Sequence, residues 1–402
     1  MKKSSLLFWM FVLGVGGWIG FNGYHYFLNH ASPELLLSGV CDQGHYSGDV
    51  ACCVSGSHPY KVGKISVLLD NAPLVHNFSI SKQSFEYPFT LNTKTLNNGK
   101  HTLVVKVVDG TFHKNTAHIS YDFQVDNVPL QAAFVRQSSE SRVFQGRTLH
   151  VQFQVNKPLK ESQISLLSKT YQCFPEAKNS LVYETYVPIE CEEKPNEYPF
   201  TVTCVDPVNN NVQLEGKVQV VGYPFKKQTL HVSAEKIAQE KAVSESQQQL
   251  DFKLAQLTQD SPKEKMWNGA FYVPTEVKWV ATEFGVVRTT QEKGVYTHKA
   301  IDIANNPKSV IWATQDGKVV VKERYAYSGN TVVIDHGYGV LSLFFHLDSF
   351  ADSLQEGQVI KKGNPIGKLG KTGYASGYHL HWEMRINNTP VDPMQWTKPL
   401  LA

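Results

Sequence analysis

Cysteine is absent from the chain beyond position 204. All six cysteines of the 402 residues lie at or before position 204, so a catalytic or metal site beyond that point uses no sulfur. No two of them have the C-x-x-C spacing that is typical of a cysteine-ligated zinc site. A site beyond residue 204 therefore has to be built from other side chains.

Charge is also scarce and nearly balanced. Charged residues make up 19% of the chain, and the formal net charge is only +3. This balance gives no reason to predict a nucleic-acid partner, although a mildly basic surface is compatible with an anionic cell-wall polymer. A length of 402 residues exceeds what one hydrophobic core usually organises, so roughly two to four domains are expected.

The one long apolar run lies at the N-terminus. Lys2 and Lys3 precede an uncharged segment that extends from residue 4 to about residue 28. Its length and its positive flank predict a transmembrane helix with the N-terminus inside, so residues 1–30 are interpreted as a membrane anchor. A cleaved signal peptide is the alternative, with small residues at Val15-Gly16-Gly17 as its cleavage site. We predict an exported protein that faces the periplasm or cell wall, anchored in the inner membrane or, if cleaved, secreted.

Export would place the cysteines in an oxidising compartment, where disulfides form. Three of them fall within residues 31–57, which we interpret as a cysteine-containing linker. Their clustering favours a disulfide between Cys41 and either Cys52 or Cys53, and another between Cys191 and Cys204. Sequence alone leaves the pairing open.

Most of the chain has the period-two hydrophobic pattern of β-strands. Short alternating segments separated by Asn, Gly and Asp turns predict a β-sandwich at residues 58–129 and a second one at residues 130–224. Residues 225–265 are predicted to form a helical connector that Ser233 caps. The strand pattern then returns in residues 266–402. The predicted fold class is mainly β, with two sandwiches, a helical connector and a C-terminal antiparallel β domain behind the N-terminal helix.

Three apolar segments of the C-terminal domain are interrupted by side chains that suit a metal site. His298 and Asp302 are four residues apart, an even spacing that places both on one face of an extended segment. His346 lies in a second apolar run, S-L-F-F-H-L-D-S-F. His379 and His381 lie in G-Y-H-L-H-W-E, and positions i and i+2 of a strand share a face. Together these interruptions indicate one shared site more than they indicate independent core histidines.

A catalytic zinc ion suits this set of side chains. Catalytic zinc takes three protein ligands from His, Asp or Glu and keeps one position open for water. The five candidates supply those ligands and leave two imidazoles for proton transfer. The pattern therefore predicts a metal hydrolase, and spacing alone does not decide which histidines bind the metal.

Three longer segments resemble a known family. They are H-K-A-I-D, S-G-N-T-V-V-I-D-H-G-Y-G-V-L-S-L-F-F-H-L and G-K-L-G-K-T-G-Y-A-S-G-Y-H-L-H-W-E. With F-G-V-V-R and V-D-P, they are similar to lysostaphin/LytM-type zinc metallopeptidases, the murein endopeptidases, over about residues 267–396. The resemblance implies a zinc-dependent endopeptidase that hydrolyses the peptide cross-links of peptidoglycan through a zinc-activated water in cell-wall remodelling. It also implies site roles: the Zn²⁺ ligands would be His298, Asp302 and His381, and the non-ligand catalytic histidines would be His346 and His379.

A second resemblance concerns the N-terminal part of the chain. The stretches D-N-A-P and L-N-N-G-K-H-T-L-V-V-K-V-V-D are similar to bacterial immunoglobulin-like modules over about residues 58–127. Such modules usually act as spacers or binding modules. The resemblance therefore implies an immunoglobulin-like sandwich without catalytic groups.

Two positions depart from the peptidase family pattern. Ala300 stands where the family usually has Gly, and Tyr378 stands where it usually has Pro. Neither change removes a ligand or an imidazole, so both bear on substrate fit more than on catalysis. His336, in the segment D-H-G, is interpreted as part of a hairpin turn and not as a site residue.

Two alternatives to a hydrolase stay open. One is a non-hydrolytic wall-binding regulator or scaffold that retains the peptidase fold. The other is a wall-adhesion protein in which the C-terminal domain only grips glycan. The predicted partners are peptidoglycan, a membrane contacted through the N-terminal segment and a protein regulator of unknown identity; no nucleic acid is predicted.

Overall fold

The computed structural model describes residues 2–135, 140–291 and 294–398, with side chains from Phe8 onward. The chain forms two compact units. The first comprises Met1–Pro129 with Pro207–Asn210, and the second comprises Leu130–Asp206 with Asn211–Ala402. Strands predominate in both units, as the period-two pattern predicts. The mainly β fold class is confirmed.

The N-terminal segment forms a helix, α1 (Lys2–Phe27). Within the described residues, no helix combines the length and the apolar character that crossing a membrane requires. The segment contains five glycines as well as Asn22, which lower its hydropathy relative to a run of aliphatic residues. The transmembrane helix predicted for residues 1–30 is therefore not supported.

The described residues of the first unit form a six-stranded sheet. Its strands are β1 (Glu34–Ser38), β2 (Gly44–Tyr46), β3 (Asp49–Leu69), β4 (Ala72–Asn92), β5 (Gly99–Asp109) and β6 (Thr116–Val125), with a short 3-10 helix at Thr93–Thr95. The strand order is β1-β3-β5-β6-β2, and β4 pairs with β3. The described strands form one continuous hydrogen-bonded sheet, and the immunoglobulin-like sandwich expected for residues 58–129 stays a prediction. The segment 31–57, expected to be a linker, supplies β1, β2 and the start of β3.

The six cysteines, which all lie among the described residues, are free thiols. Cys52 is buried in the core of the first unit, whereas Cys41 is exposed. Cys191 packs in the core of the C-terminal domain, and Cys204 packs between the sheets of the preceding domain. Neither of the expected disulfides is formed in the structure.

The second unit begins with two sheets that share a core. Their strands are β7 (Ala132–Phe134), β8 (Glu140–Phe144), β9 (Thr148–Val155), β10 (Glu161–Leu166), β11 (Lys169–Gln172), β12 (Phe174–Pro175), β13 (Val182–Pro188), β14 (Asn196–Val205) and β15 (Asn211–Val221). One sheet has the order β11-β10-β14-β15-β8, and the other has the order β12-β13-β9-β7. Side chains such as Val151, Phe153 and Val202 are fully buried in the shared core. This arrangement is a β-sandwich, the architecture expected for residues 130–224.

A strand and a helix lead from this sandwich into the C-terminal domain. The strand β16 (Lys227–Thr229) pairs in parallel with residues 287–289 of that domain. The helix α2 (Ala234–Gln259) is capped by the Ser233 side chain, which accepts a hydrogen bond from its third residue. Leu250 and Leu254 of the helix are fully buried against the C-terminal sheet. The predicted connector is therefore a docked helix.

The C-terminal domain is built on an antiparallel sheet whose described part has ten strands. The domain's elements are β17 (Trp279–Thr282), β18 (Val287–Thr290), β19 (Gly294–Thr297), β20 (Ile301–Ala304), β21 (Val310–Trp312), β22 (Gly317–Tyr325), β23 (Gly329–Asp335), β24 (Val340–Phe350), β25 (Val359–Ile360), β26 (Pro365–Leu369), β27 (Leu380–Ile386), β28 (Thr389–Val391) and α3 (Pro393–Trp396). The main path is β17-β20-β27-β24-β23-β22-β25, while β16, β18 and β19 form a separate sheet. Strands β24 and β27 are central neighbours and are mostly buried.

The two faces of the central strands pack against different partners. Phe344 and Trp382 point into the main core of the domain. On the opposite face, Leu343 and Phe345 pack with Leu250 of α2. Because side chains alternate along a strand, this second face also receives the residues that neighbour Trp382 on β27. The candidate site lies on that face.

Candidate metal centre

Two of the predicted site residues meet where β20 pairs with β27. Asp302 on β20 is the direct antiparallel partner of His381 on β27. Directly opposed residues place their side chains on the same face of a sheet. His381 Nδ1 consequently lies 2.9 Å from Asp302 Oδ1.

His298 reaches the same carboxylate from the short connection between β19 and β20. Its Nε2 lies 3.2 Å from Asp302 Oδ2, and its ring centre lies 5.3 Å from that of His381. Its backbone N–H donates to the Val286 carbonyl, and its carbonyl accepts from Gly285 N–H. The sequence predicts one extended segment from His298 to Asp302, whereas the chain turns between them before β20 begins.

These three side chains fit a single metal ion. The ligand atoms of His298, Asp302 and His381 all lie within 4.8 Å of one another. His298 Nε2 is buried and makes no well-directed hydrogen bond, although Asp302 is close. Two imidazole nitrogens and one carboxylate form a donor set that catalytic zinc accepts, with a fourth position left for water.

Burial and the shared carboxylate shift the pKa values of all three groups. Burial would raise the pKa of Asp302, but hydrogen bonds from His298 and His381 hold it well below its usual range. Burial lowers the pKa of His298. Burial also disfavours charge on His381, yet Asp302 and Glu383 raise its pKa to about 9. In the metal-free protein Asp302 is therefore ionised, and His381 carries a proton that has to leave when a metal binds.

His346 joins this group because of an irregularity in β24. The preceding residue, Phe345, pairs with His381 and stacks on its ring, with the centroids 5.1 Å apart. Strict alternation would turn His346 to the opposite face, but its φ of 63° lies in the left-handed region and redirects the side chain. Its ring centre then lies 4.9 Å from that of His379 and 6.0 Å from that of His381.

His346 and His379 are both held through Nδ1. The Nδ1 of His346 donates to the Thr372 carbonyl at 2.8 Å, and the Nδ1 of His379 donates to the Gly377 carbonyl at 3.0 Å. A carbonyl oxygen only accepts, so each neutral ring keeps its proton on Nδ1 and its lone pair on Nε2. Burial lowers the pKa of His346 to about 3, so this ring is neutral at physiological pH. The Nε2 of His379 lies 3.8 Å from Asp302 Oδ1.

The region that holds these five side chains matches a family of peptidases. The sequence model of peptidase family M23 matches residues 296–393. This region is an M23 domain. This match confirms the resemblance between the sequence motifs and lysostaphin-type metallopeptidases.

Several curated proteins align with part of this chain. Peptidoglycan DD-endopeptidase ShyB of Vibrio cholerae is 36% identical over 106 residues, which cover 26% of this chain and 24% of that protein. DD-carboxypeptidase/endopeptidase Mpg of Neisseria meningitidis is 40% identical over 102 residues, which cover 25% of this chain and 23% of that protein. Murein hydrolase activator NlpD of Escherichia coli is 36% identical over 124 residues, which cover 31% of this chain and 30% of that protein. The chain thus spans less than a third of the length of these relatives.

Two further side chains, Arg288 and Glu383, lie beside the candidate ligands and were not predicted as site residues. Arg288 on β18 places Nη1 3.3 Å from His298 Nδ1, and its Nη2 donates to Thr282 Oγ1 at 2.8 Å. Glu383 on β27 places Oε2 3.8 Å from His381 Nε2. The sequence signal for Glu383 is its i+2 spacing from His381, which on a strand means the same face.

His336 lies outside the cluster, in the turn that joins β23 to β24. Its Nδ1 donates to the Asp316 carbonyl at 2.7 Å, and its Nε2 lies 2.8 Å from Ser342 Oγ. The ring is completely buried beside Phe271. Burial lowers the pKa of His336 to about 4, so the folded M23 domain holds a neutral imidazole there.

We expect acid to destabilise the M23 domain through His336. Between its ordinary pKa of 6.5 and its folded value of about 4, the unfolded chain binds a proton that the folded chain does not. The free energy of unfolding therefore decreases as the pH is lowered through that window, by about 3 kcal/mol from this group. The variant His336→Gln, whose amide can keep both hydrogen bonds, should lose this part of the pH dependence. Urea unfolding of both proteins across the window measures it, and equal slopes would contradict the assignment.

Proposed function

We propose that the chain is an exported, zinc-dependent endopeptidase that hydrolyses peptide cross-links of peptidoglycan during cell-wall remodelling. The observation that carries the proposal is the convergence of five side chains on one face of the sheet. Three of them place ligand atoms within 4.8 Å of one another, and two anchored imidazoles lie beside them. Relatives that align with part of the chain are named as peptidoglycan endopeptidases.

In this proposal His298, Asp302 and His381 hold the zinc ion. A bound zinc ion supplies Lewis acidity, which lowers the pKa of water to about 7 and makes it nucleophilic at neutral pH. The depressed pKa of Asp302 keeps its carboxylate ionised and ready to bind a cation. The buried position of His298 and Asp302 limits competing water and strengthens electrostatic attraction at the site.

His346 and His379 are proposed to handle protons and developing charge. Each presents Nε2 to the space beside the ligands, because a backbone carbonyl holds its Nδ1. One protonated ring would stabilise the negative oxygen of the attacked carbonyl, a contribution of about 3–4 kcal/mol for a single donor. The other would accept the proton of the attacking water on its free Nε2 and pass it to the leaving amine. Both rings present Nε2 to the site, and the free Nε2 of neutral His346 suits the second role.

The bond that we propose as the target is a D,D-amide cross-link. Two of the relatives, ShyB and Mpg, are named for activity on DD bonds. At the rim of the site Tyr378 is 41% exposed beside His379, and Lys371 lies 5.1 Å from the centre of its ring. An aromatic and cationic rim suits peptide stems that carry carboxylates. An extracytoplasmic location follows from this substrate.

A non-hydrolytic regulator is the second candidate function. The similarity to a protein named as a murein hydrolase activator favours it. A protein that only binds or activates has no chemical need for three converging ligands and two oriented imidazoles. This chain retains all five groups, so hydrolysis is the better supported function.

A digestion of purified peptidoglycan by the full-length protein tests the proposal. With zinc present, we expect cross-linked muropeptide dimers to disappear and monomers to accumulate in the chromatogram. EDTA should stop the conversion, and added zinc should restore it. Peptidoglycan cross-linked through L,D bonds is the matched control substrate and should stay intact. If the dimers persist although zinc is bound stoichiometrically, the hydrolase proposal is wrong and the non-hydrolytic regulator is the better supported function.

A further inference from the structure

A row of three polar side chains starts at the candidate metal ligand His381. His381, Glu383 and Arg385 occupy alternate positions of β27, so all three project from the same face of the sheet. Across the strand pair they lie opposite Phe345, Leu343 and Leu341 of β24. The row therefore runs from the metal centre along a surface that is otherwise apolar.

Glu383 is the buried middle member of this row. Only 5% of the residue is exposed, and a buried carboxylate is costly unless charged partners and hydrogen bonds surround it. Its Oε1 accepts a hydrogen bond from Arg385 Nε, and its Oε2 lies 3.8 Å from His381 Nε2. The other ring nitrogen of His381, Nδ1, faces Asp302. Glu383 thus lies at the nitrogen of His381 that points away from Asp302.

Arg385 extends the row to helix α2. Its Nη2 lies 3.1 Å from Asp251 Oδ1, and its Nη1 donates to Asn388 Oδ1 at 3.1 Å. Asp251 is flanked on the helix by Leu250 and by Leu254 one turn later, and both leucines are fully buried. The carboxylate of Asp251 is therefore carried by the part of the helix that is docked most firmly.

The same docked turn of α2 also packs towards His381 through apolar groups. Leu250 and Leu254 share a buried cluster with Phe345. The ring of Phe345 stacks on that of His381 at 5.1 Å with an interplanar angle of 5°. His381 is thus held by an aromatic face and by a polar partner, and α2 supports both.

We infer that Glu383 is a positioning residue for His381, held in place by Arg385 and, through Arg385, by Asp251 of α2. A histidine that binds a metal through one nitrogen commonly donates its other N–H to a carboxylate, which fixes the tautomer and raises the basicity of the ligand. Glu383 is the carboxylate in that position. The inference rests on the proposed role of His381 as a metal ligand, and it makes α2 part of the support of the metal centre.

Zinc affinity of the full-length protein tests this inference. The dissociation constant for zinc is measured by competition with a chromophoric chelator for the wild type, Glu383→Gln and Asp251→Asn. We expect Glu383→Gln to bind zinc about 10-fold to 100-fold more weakly. Asp251→Asn should shift affinity in the same direction by less, because Arg385 keeps its bond to Glu383. The double variant should bind no more weakly than Glu383→Gln alone, since both changes act through one chain of contacts.

A matched control lies on the same helix. Lys253 of α2 pairs with Glu323 at 3.2 Å, a similar distance, but this pair leads away from His381. Lys253→Gln should leave zinc affinity unchanged. Urea unfolding of the metal-free proteins separates positioning from folding. A purely structural role would lower the unfolding midpoint, but the folded protein would keep its affinity for zinc.

Each outcome decides the inference. If Glu383→Gln does not fold, Asp251→Asn is the deciding variant, because the Asp251 side chain is 46% exposed and its change leaves the buried Arg385 paired with Glu383. Wild-type zinc affinity in the folded variants would overturn the positioning role and leave the proposed peptidase intact. A wild-type protein that binds no zinc would overturn both proposals.

Discussion

Replacing His381 by alanine is expected to remove most of the bound zinc and to abolish peptidoglycan hydrolysis. The variant leaves one imidazole and one carboxylate, fewer than the three protein ligands that catalytic zinc requires. Without zinc the pKa of the attacking water returns from about 7 to far above the neutral range, so we expect a loss of at least ~10⁴-fold in muropeptide release. Metal analysis of the purified full-length protein, together with the dimer-to-monomer assay, measures both effects.

The control for this variant is His118→Ala. His118 is an exposed histidine on β6 of the first unit, so its removal also deletes an imidazole without touching the M23 domain. It should keep equimolar zinc and wild-type turnover. If His381→Ala retains zinc to the same extent, His381 is not a ligand and the proposed coordination set is wrong.

Much of the metal centre could be read from strand alternation. Asp302 and His381 each lie between apolar residues of short strands, and their direct pairing in the sheet brings their side chains together. A period of two residues fixes the face of every side chain on a strand, so the sequence carries this information wherever the strand is regular. The two residues were predicted to share a site because each interrupts an apolar segment, and the structure places His381 Nδ1 2.9 Å from Asp302 Oδ1.

The remaining site residues depend on departures from that regularity. His346 follows Phe345, which already faces the site, so alternation alone would send the imidazole into the core. Its left-handed backbone conformation reverses this, and no local sequence pattern predicts such a conformation for a histidine. His298 lies in a loop, where no periodicity applies. These residues were predicted from the family motifs and not from the alternation of side chains along strands.

Tertiary packing completes what the sequence indicates elsewhere. The apolar positions of α2 are sparse before Leu250, so its pattern predicts a solvated connector with one docking turn, and Leu250 and Leu254 of that turn are fully buried. Two leucines one turn apart are enough to dock a helix when a complementary apolar surface is present, and that surface belongs to strands more than 60 residues later in the chain. The predicted disulfide between Cys191 and Cys204 is not formed for a similar reason. The two residues are close in sequence, but their thiols enter different hydrophobic cores.

The second large effect concerns the two histidines that are not assigned as ligands. We expect His346→Ala and His379→Ala each to lower muropeptide release by about 10²–10⁴-fold, the range for removal of a general acid or base. Both variants should keep nearly equimolar zinc, because His298, Asp302 and His381 remain. Metal analysis and turnover are measured on the same preparations, with His118→Ala as the matched histidine deletion.

The combination of kept zinc and lost turnover is what separates these histidines from the ligands. Each ring is fixed by a backbone carbonyl at Nδ1, so its removal leaves the backbone hydrogen-bonded to water and the ligand geometry undisturbed. A variant that loses zinc together with activity would make its histidine a fourth ligand, and a variant that keeps wild-type turnover would remove its histidine from the mechanism. Since His346 and His379 present the same nitrogen 4.9 Å apart by ring centre, the double variant should lose less than the product of the two single losses. That non-additivity is expected only if the two rings act on one reacting bond.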